Sequence, residues 1–171
     1  MNSRSLIFLI LEVVVFLSLH ILILGHLSVG SYAFSYAYLG AVLLMPISAN
    51  PVRIMLFSLL VGLMADSYYN SIGIHMASCV LLAFLRSAVL NWVVPAGGYE
   101  PYMRISIPSM GIKWYLSYML PLLFCHHLLL FVIDHANLSQ FPLALTQAIA
   151  STAFTFFSIM FIQLSVEGTR I

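Results

Sequence analysis

The sequence predicts an all-α integral membrane protein: a bundle of about six transmembrane helices forming a single domain over residues 1–171. Three observations carry that reading. Of 171 residues, 63% are apolar and 6% charged, whereas a water-soluble domain devotes about a quarter of its residues to charge. The apolar residues fall in runs of about 17–25, enough for a helix to cross the hydrocarbon layer. The basic residues segregate to one side of those runs, as the positive-inside bias requires.

The first run, Ser5–Leu24, follows Arg4 and is interrupted by Glu12, which favours a retained helix over a cleaved leader. The second and third, Tyr32–Ser48 and Arg53–Tyr69, are joined by "PISANPVR", whose two prolines and Asn50 suit a tight turn. One longer re-entrant element is the alternative there. The fourth run is Ile72–Val94. The fifth, Trp114–Ile133, contains Pro121 and is expected to kink. The sixth is Pro142–Val166.

With a cytoplasmic N-terminus, this order puts Arg4, Arg53, Arg104, Lys113 and Arg170 on the cytoplasmic side, with Arg86 near that end of the fourth span. The external connections "GHLSVGS", "NS" and "DHANLSQF" contain no Lys or Arg. Both termini are then cytoplasmic. Tyr32, Tyr36, Tyr38, Tyr68 and Tyr69 collect at the external face, and Trp92 and Trp114 flank the cytoplasmic loop, as aromatic belts do. That loop, Pro95–Lys113, is either a flexible connector lying on headgroups or a contact for a cytosolic partner.

A net charge of +1 with no basic run excludes a nucleic-acid footprint. Cys79 and Cys125 sit in apolar runs without CxxC spacing and read as buried small hydrophobes. Ionisable groups within hydrocarbon each need an account. Glu12 lies about 10 Å into the first helix and Arg86 about 12 Å from the same face, so the two are expected either to pair between the first and fourth helices or to snorkel separately to the cytoplasmic headgroups. Asp66 closes the third helix as a turn acceptor, with Gly73 relieving the backbone and His75 opening the fourth helix; the same tip is a candidate partner contact.

Asp134 lies where Ser139 can cap the last helix and Pro142 can begin it. The six histidines 20, 26, 75, 126, 127 and 135 match no metal motif, and no cofactor is expected. His20 and one of the pair His126–His127 read as interhelical hydrogen-bonding groups. In the last helix Ala144, Ala148, Ser151, Thr155 and Ser158 form a small-residue seam suited to close packing within the bundle, or to docking of another membrane protein.

One stretch carries a resemblance. A span ending in Gly-Leu-x-x-Asp, a short external turn, then Gly-x-His opening a helix with Arg near its far end resembles the rod shape-determining protein MreD family. The matching residues are Gly62, Leu63, Asp66, Gly73, His75 and Arg86. The motif spans only Gly62 to Arg86, while length and helix pattern agree along nearly the whole chain.

The resemblance implies a non-catalytic scaffold subunit of the bacterial cell-elongation machinery in the inner (plasma) membrane. Its implied partners are an MreC-like membrane protein, RodA and the elongation-specific penicillin-binding protein, with MreB filaments reached through MreC. It also implies a fold similar to the substrate-binding subunits of energy-coupling-factor transporters.

Two other functions compete. A small-molecule-binding transporter subunit of the energy-coupling-factor type would line an external pocket with Asp66, His75 and Asp134. An intramembrane aspartyl peptidase would pair Asp66 with Asp134, but the sequence surroundings of that enzyme class are missing. Glu12 and Arg86 complete the set of candidate structural residues.

Overall fold

The computed structural model describes residues 3–100 and 103–168, and within them the chain is mostly helical. Its long helices are α1 (Ser3–Leu22), α3 (Pro51–Tyr69), α4 (Ile74–Trp92), α6 (Ile112–His135) and α7 (Phe141–Gly168). α3, α4, α6 and α7 are each long and apolar enough to cross a membrane, and α1 has 20 residues. Short elements complete the fold: β1 (Ser28–Val29) paired antiparallel with β2 (Ala33–Phe34), one helical turn α2 (Gly40–Leu43), and α5 (Ile107–Met110).

Side-chain contacts fix two ends of the bundle. At the hairpin end, the α3–α4 turn lies beside the end of α1, where Tyr68 meets His26, and His135 at the end of α6 bonds Gln147 of α7. At the loop end, Arg104 of the α4–α6 connection meets Glu12 of α1, and Gln163 of α7 donates to the Ile105 carbonyl. The chain thus alternates between ends, with α1 starting and α7 finishing at the loop end.

The expected second span, Tyr32–Ser48, is not a transmembrane helix. Residues 27–50 still carry the chain from the hairpin end to the loop end, as a β-turn, a 3-10 turn at Ala37–Leu39 and the single turn α2. Tyr38 bonds His75 at the start of α4, whereas the Met45 carbonyl meets Arg86 farther along it. Irregular backbone is tolerated at membrane depth only where protein surrounds it, and Ser35 through Leu44 is an unbroken buried run.

The cause is in the side chains. "SYAFSYAY" alternates small and aromatic residues with a period of two, the pattern of an extended chain, up to Tyr38. Gly40 then admits Phe16 of α1, since a Cβ there would fall 2.4 Å from that ring. Pro46 ends the helical turn.

Backbone groups of this segment find partners on α7, whose small-residue seam faces inward. Ser151 Oγ accepts the Phe34 N–H at 3.0 Å and Thr155 Oγ1 accepts the Tyr36 N–H at 3.0 Å. Ser35 donates to Ser158, which donates onward to the Phe154 carbonyl. Gln147 donates to the Ser31 carbonyl. A row of hydroxyls one helical turn apart therefore replaces the missing strand neighbour, which explains why Ser151 and Thr155 are wholly buried. Thr155→Val keeps the shape but orphans the Tyr36 N–H; the expected loss is about 2 kcal/mol, read as a lower unfolding midpoint in detergent.

Other boundaries move slightly. α3 begins at Pro51, two residues before Arg53, because the Asn50 side chain accepts the Val52 and Arg53 N–H groups and Pro51 fills the first helical position. α6 runs unbroken from Ile112 to His135 with Pro121 inside it. Ahead of α7, Asn137 rather than Ser139 supplies the accepting oxygen of the turn, taking both the Ser139 N–H and its hydroxyl. The α4–α6 connection is fastened down: Tyr99 donates to the Leu90 carbonyl, Trp114 to the Val93 carbonyl, and Ser106 caps α5.

Candidate functional site

The stretch singled out by the sequence forms one device. Gly62 packs against the first turn of α4 so closely that a Cβ would lie 2.5 Å from Met76 Cα and 2.9 Å from the His75 carbonyl oxygen. One turn later, Asp66 reaches across the hairpin. Its Oδ1 accepts the His75 N–H at 3.0 Å and the Ser71 hydroxyl at 2.6 Å, and its Oδ2 accepts the Met76 N–H at 3.0 Å.

Asp66 therefore caps α4 from another helix. The reason lies at Gly73, the residue ahead of α4, which has φ +77° and no side chain with which to cap. The first N–H groups of a helix have no internal partner, and the negative carboxylate suits the positive end of the helix dipole. The Asp66 carbonyl closes α3 as well, accepting from Asn70, whose φ is 54°, and from Ser71. Gly62, Asp66 and Gly73 are thus three parts of one joint, and Asp66 is 5% exposed.

His75 links this joint to the interior. Tyr38 of the irregular segment hydrogen-bonds its Nδ1 at 2.7 Å, and Tyr69 stacks on its ring at a centroid distance of 4.8 Å. Tyr36 also meets its ring, and beyond these tyrosines lie His20 and His126 against Tyr38 and His127 against Tyr36. His20 bonds Tyr69 at 3.1 Å, joining α1 to α3, and His127 meets Thr155 at 3.2 Å, joining α6 to α7. The Leu123 carbonyl, 2.6 Å from His127 Nδ1, can only accept, so in the neutral ring the proton sits on Nδ1, and Nε2 is an acceptor that shares the Thr155 hydroxyl proton with the Phe34 carbonyl.

His126 differs from its neighbour. It is 0% exposed, and its ring nitrogens meet no well-aligned hydrogen-bond partner, the Ser78 backbone being the nearest polar group to engage it. An unmet buried polar group costs about 1–3 kcal/mol. His126→Leu is therefore expected to leave the unfolding midpoint unchanged or raise it; a fall comparable to that from Thr155→Val would contradict this weakly partnered geometry.

The expected Glu12–Arg86 pair does not form. Glu12 pairs with Arg104 of the α4–α6 connection, 2.5 Å away, a residue outside the helices that depth matching considered. Arg86, 2% exposed, turns instead to the irregular segment. Its Nε donates to the Tyr118 hydroxyl at 2.9 Å, and its Nη2 to the Met45 and Pro46 carbonyls at 2.5 and 3.3 Å. Tyr118 in turn donates to the Leu43 carbonyl at 2.7 Å. These carbonyls lie at and beyond the C-terminal end of α2, where the chain offers unbonded acceptors and negative dipole.

Exchanging the charges of Glu12 and Arg104 should restore what either single reversal loses. The loss is expected to be about 1 kcal/mol, because the Arg104 side chain is 45% exposed. A double-mutant cycle on unfolding midpoints measures it, and no recovery in the double variant would contradict the pairing.

Sequence reasoning missed Tyr38, Tyr118 and Arg104, whose roles depend on where the irregular segment and the α4–α6 connection lie. Among the described residues, no group of three or more His, Cys, Asp or Glu side chains is placed to hold a metal ion. Cys79 and Cys125 are free thiols, the first buried and the second half-buried. Asp66 and Asp134 differ in setting: the first has both oxygens engaged by donors, whereas the second is exposed on the last turn of α6. Compared with known proteins, the chain matches no family model, no curated protein and no solved structure.

Proposed function

We propose that this chain is a non-catalytic scaffold subunit of the bacterial cell-elongation machinery, of the MreD kind, set in the inner membrane with both termini cytoplasmic. It would link an MreC-like protein, RodA and the elongation-specific penicillin-binding protein, and reach MreB filaments through the MreC-like partner. The observation that carries the reading is how the polar groups are used. Asp66 caps a helix, Arg86 holds backbone carbonyls, Glu12 pairs with Arg104, and Ser151 and Thr155 hold an irregular strand. Each is occupied by the protein's own chain, which suits a part whose task is to present a fixed shape.

The alternative roles ask for free groups. A peptidase needs two carboxylates sharing a substrate water, but the oxygens of Asp66 are held by N–H and hydroxyl donors. A transporter subunit needs open room near His75, where Tyr36, Tyr38 and Tyr69 are packed ring to ring. Affinity capture of the tagged chain from membranes tests the proposal. Co-purification of an MreC-like protein is expected, and saturable small-molecule binding or peptidase turnover by the isolated chain would overturn it.

A further inference from the structure

We propose that the cavity between the end of α6 and the start of α7 is a site for the ammonium headgroup of one phosphatidylethanolamine. The cavity holds about 140 Å³ and is lined by Val132, His135, Ala136, Asn137, Phe141 and Ala144. Ala136, Asn137 and Phe141 are exposed, so it opens outward at the hairpin end of the bundle. One water needs about 10–15 Å³ of such room, so a group of a few heavy atoms fits.

His135 brings an acceptor to this lining. Gln147 donates its amide to the Ser31 carbonyl at 3.0 Å, so its Oε1 is the atom that meets His135 Nε2, at 2.7 Å. In the neutral ring the proton therefore sits on Nε2, and Nδ1 is left with a lone pair. The last carbonyls of α6 have no following turn to bond, and that helix end carries partial negative charge. Asp134, exposed on the same turn, adds a full one, and the external connections hold no Lys or Arg to neutralise it. Acceptors and negative charge beside apolar walls suit a compact cation that carries N–H donors.

The surroundings select the source. α6 and α7 are both long and apolar enough to cross a membrane, so the turn between them lies at headgroup level. Ile133, Phe141 and Leu143, on the two helices that form the cavity, are exposed apolar side chains. A lipid with its acyl chains against them sets its headgroup at the cavity mouth. Ethanolamine then supplies three N–H donors, as a lysine ammonium does; choline supplies none, and phosphatidylglycerol would bring net negative charge toward Asp134. Such a lipid comes from the bilayer itself, so its binding is independent of the scaffold role, unlike capture of a water-soluble cargo.

Native mass spectrometry of the purified chain, given equal amounts of phosphatidylethanolamine, phosphatidylcholine and phosphatidylglycerol, tests the site. The wild type is expected to retain one phosphatidylethanolamine at least tenfold over either other lipid. Ala136→Lys, which tethers an ammonium at the cavity and keeps a Cβ where φ is already 48°, is expected to lose that preference. Val29→Lys, adding the same charge on exposed β1 at the same end, is expected to keep it. Equal retention of the three lipids by the wild type, an unchanged preference in Ala136→Lys, or its loss in both variants would overturn the proposal.

Should Ala136→Lys fail to fold, imidazole-nitrogen NMR of the wild type decides. Short-chain phosphatidylethanolamine is expected to shift one histidine resonance saturably, and short-chain phosphatidylcholine to leave it in place. No shift, or an equal shift with phosphatidylcholine, would overturn the site. An equal shift with free ethanolamine at the same concentration would overturn the lipid assignment.

Discussion

Asp66→Ala is expected to lower the unfolding free energy by about 3 kcal/mol, the sum of a lost helix cap and a lost charge-assisted hydrogen bond. The side chain serves three donors: the His75 and Met76 N–H groups and the Ser71 hydroxyl. Without it, two N–H groups at the start of α4 lose their acceptor at a buried joint, and Gly73 offers none. Asp66→Asn is expected to lose about half as much, because one oxygen remains to accept while the charge facing the helix dipole is gone. Thermal or SDS-driven unfolding followed by circular dichroism reads both. Equal stability of Asp66→Ala and wild type would show that the cap contributes nothing.

Gly62→Val is the second large effect. Two tendencies oppose each other. Replacing a mid-helix glycine removes a flexible residue and favours α3 by at most about 1 kcal/mol. The added Cβ, however, lands 2.5 Å from Met76 Cα and 2.9 Å from the His75 carbonyl oxygen. These are backbone atoms, which cannot rotate away, so α3 and α4 must separate. Overpacking of that kind costs about 3 kcal/mol, and separation also stretches the Asp66 bonds to α4. The clash wins. A net loss of about 2 kcal/mol or more is expected, with Gly62→Ala intermediate. Because the two sites share one joint, Gly62→Val and Asp66→Ala should combine to less than their sum; full additivity would argue that the contact and the cap act separately.

How much of this was legible in the sequence depends on the kind of signal. Long apolar runs fix helices cheaply, so α1, α3, α4, α6 and α7 fall close to the apolar segments, and Asn50–Pro51 marks the start of α3. The Gly62–Asp66–Gly73 spacing was legible as a turn, since each residue type has a local backbone reason to be there. Its full geometry was not: that Asp66 serves the next helix rather than its own turn depends on how α3 and α4 cross, which follows from Gly62 only once both are packed.

The irregular segment hid for a different reason. Hydropathy sums residues without regard to order, so "SYAFSYAY" scored as apolar although its period of two argued for extended chain. A seam of hydroxyls on α7 was the complementary clue, since Ser151, Thr155 and Ser158 at turn spacing supply acceptors and donors that a helix partner would not need. Glu12 and Arg86 illustrate a third limit. Equal depth is necessary for two charges to pair but leaves rotation about each helix open. Arg104, reaching in from the α4–α6 connection, and the carbonyls of Met45 and Pro46 were nearer.

The claim on which the rest depends is that residues 34–46 run through the interior of the bundle, held by hydroxyls on one side and by Arg86 on the other. Hydrogen–deuterium exchange of the chain in lipid nanodiscs tests it most directly, amide by amide. The Tyr36 amide, bonded to Thr155, and the Leu44 amide, which closes α2, should exchange as slowly as those in the middle of α4. In Thr155→Val, Tyr36 should speed up while α4 stays protected. Exchange of both amides within seconds in the wild type would mean that the segment lies in water, and the fold described here would be wrong.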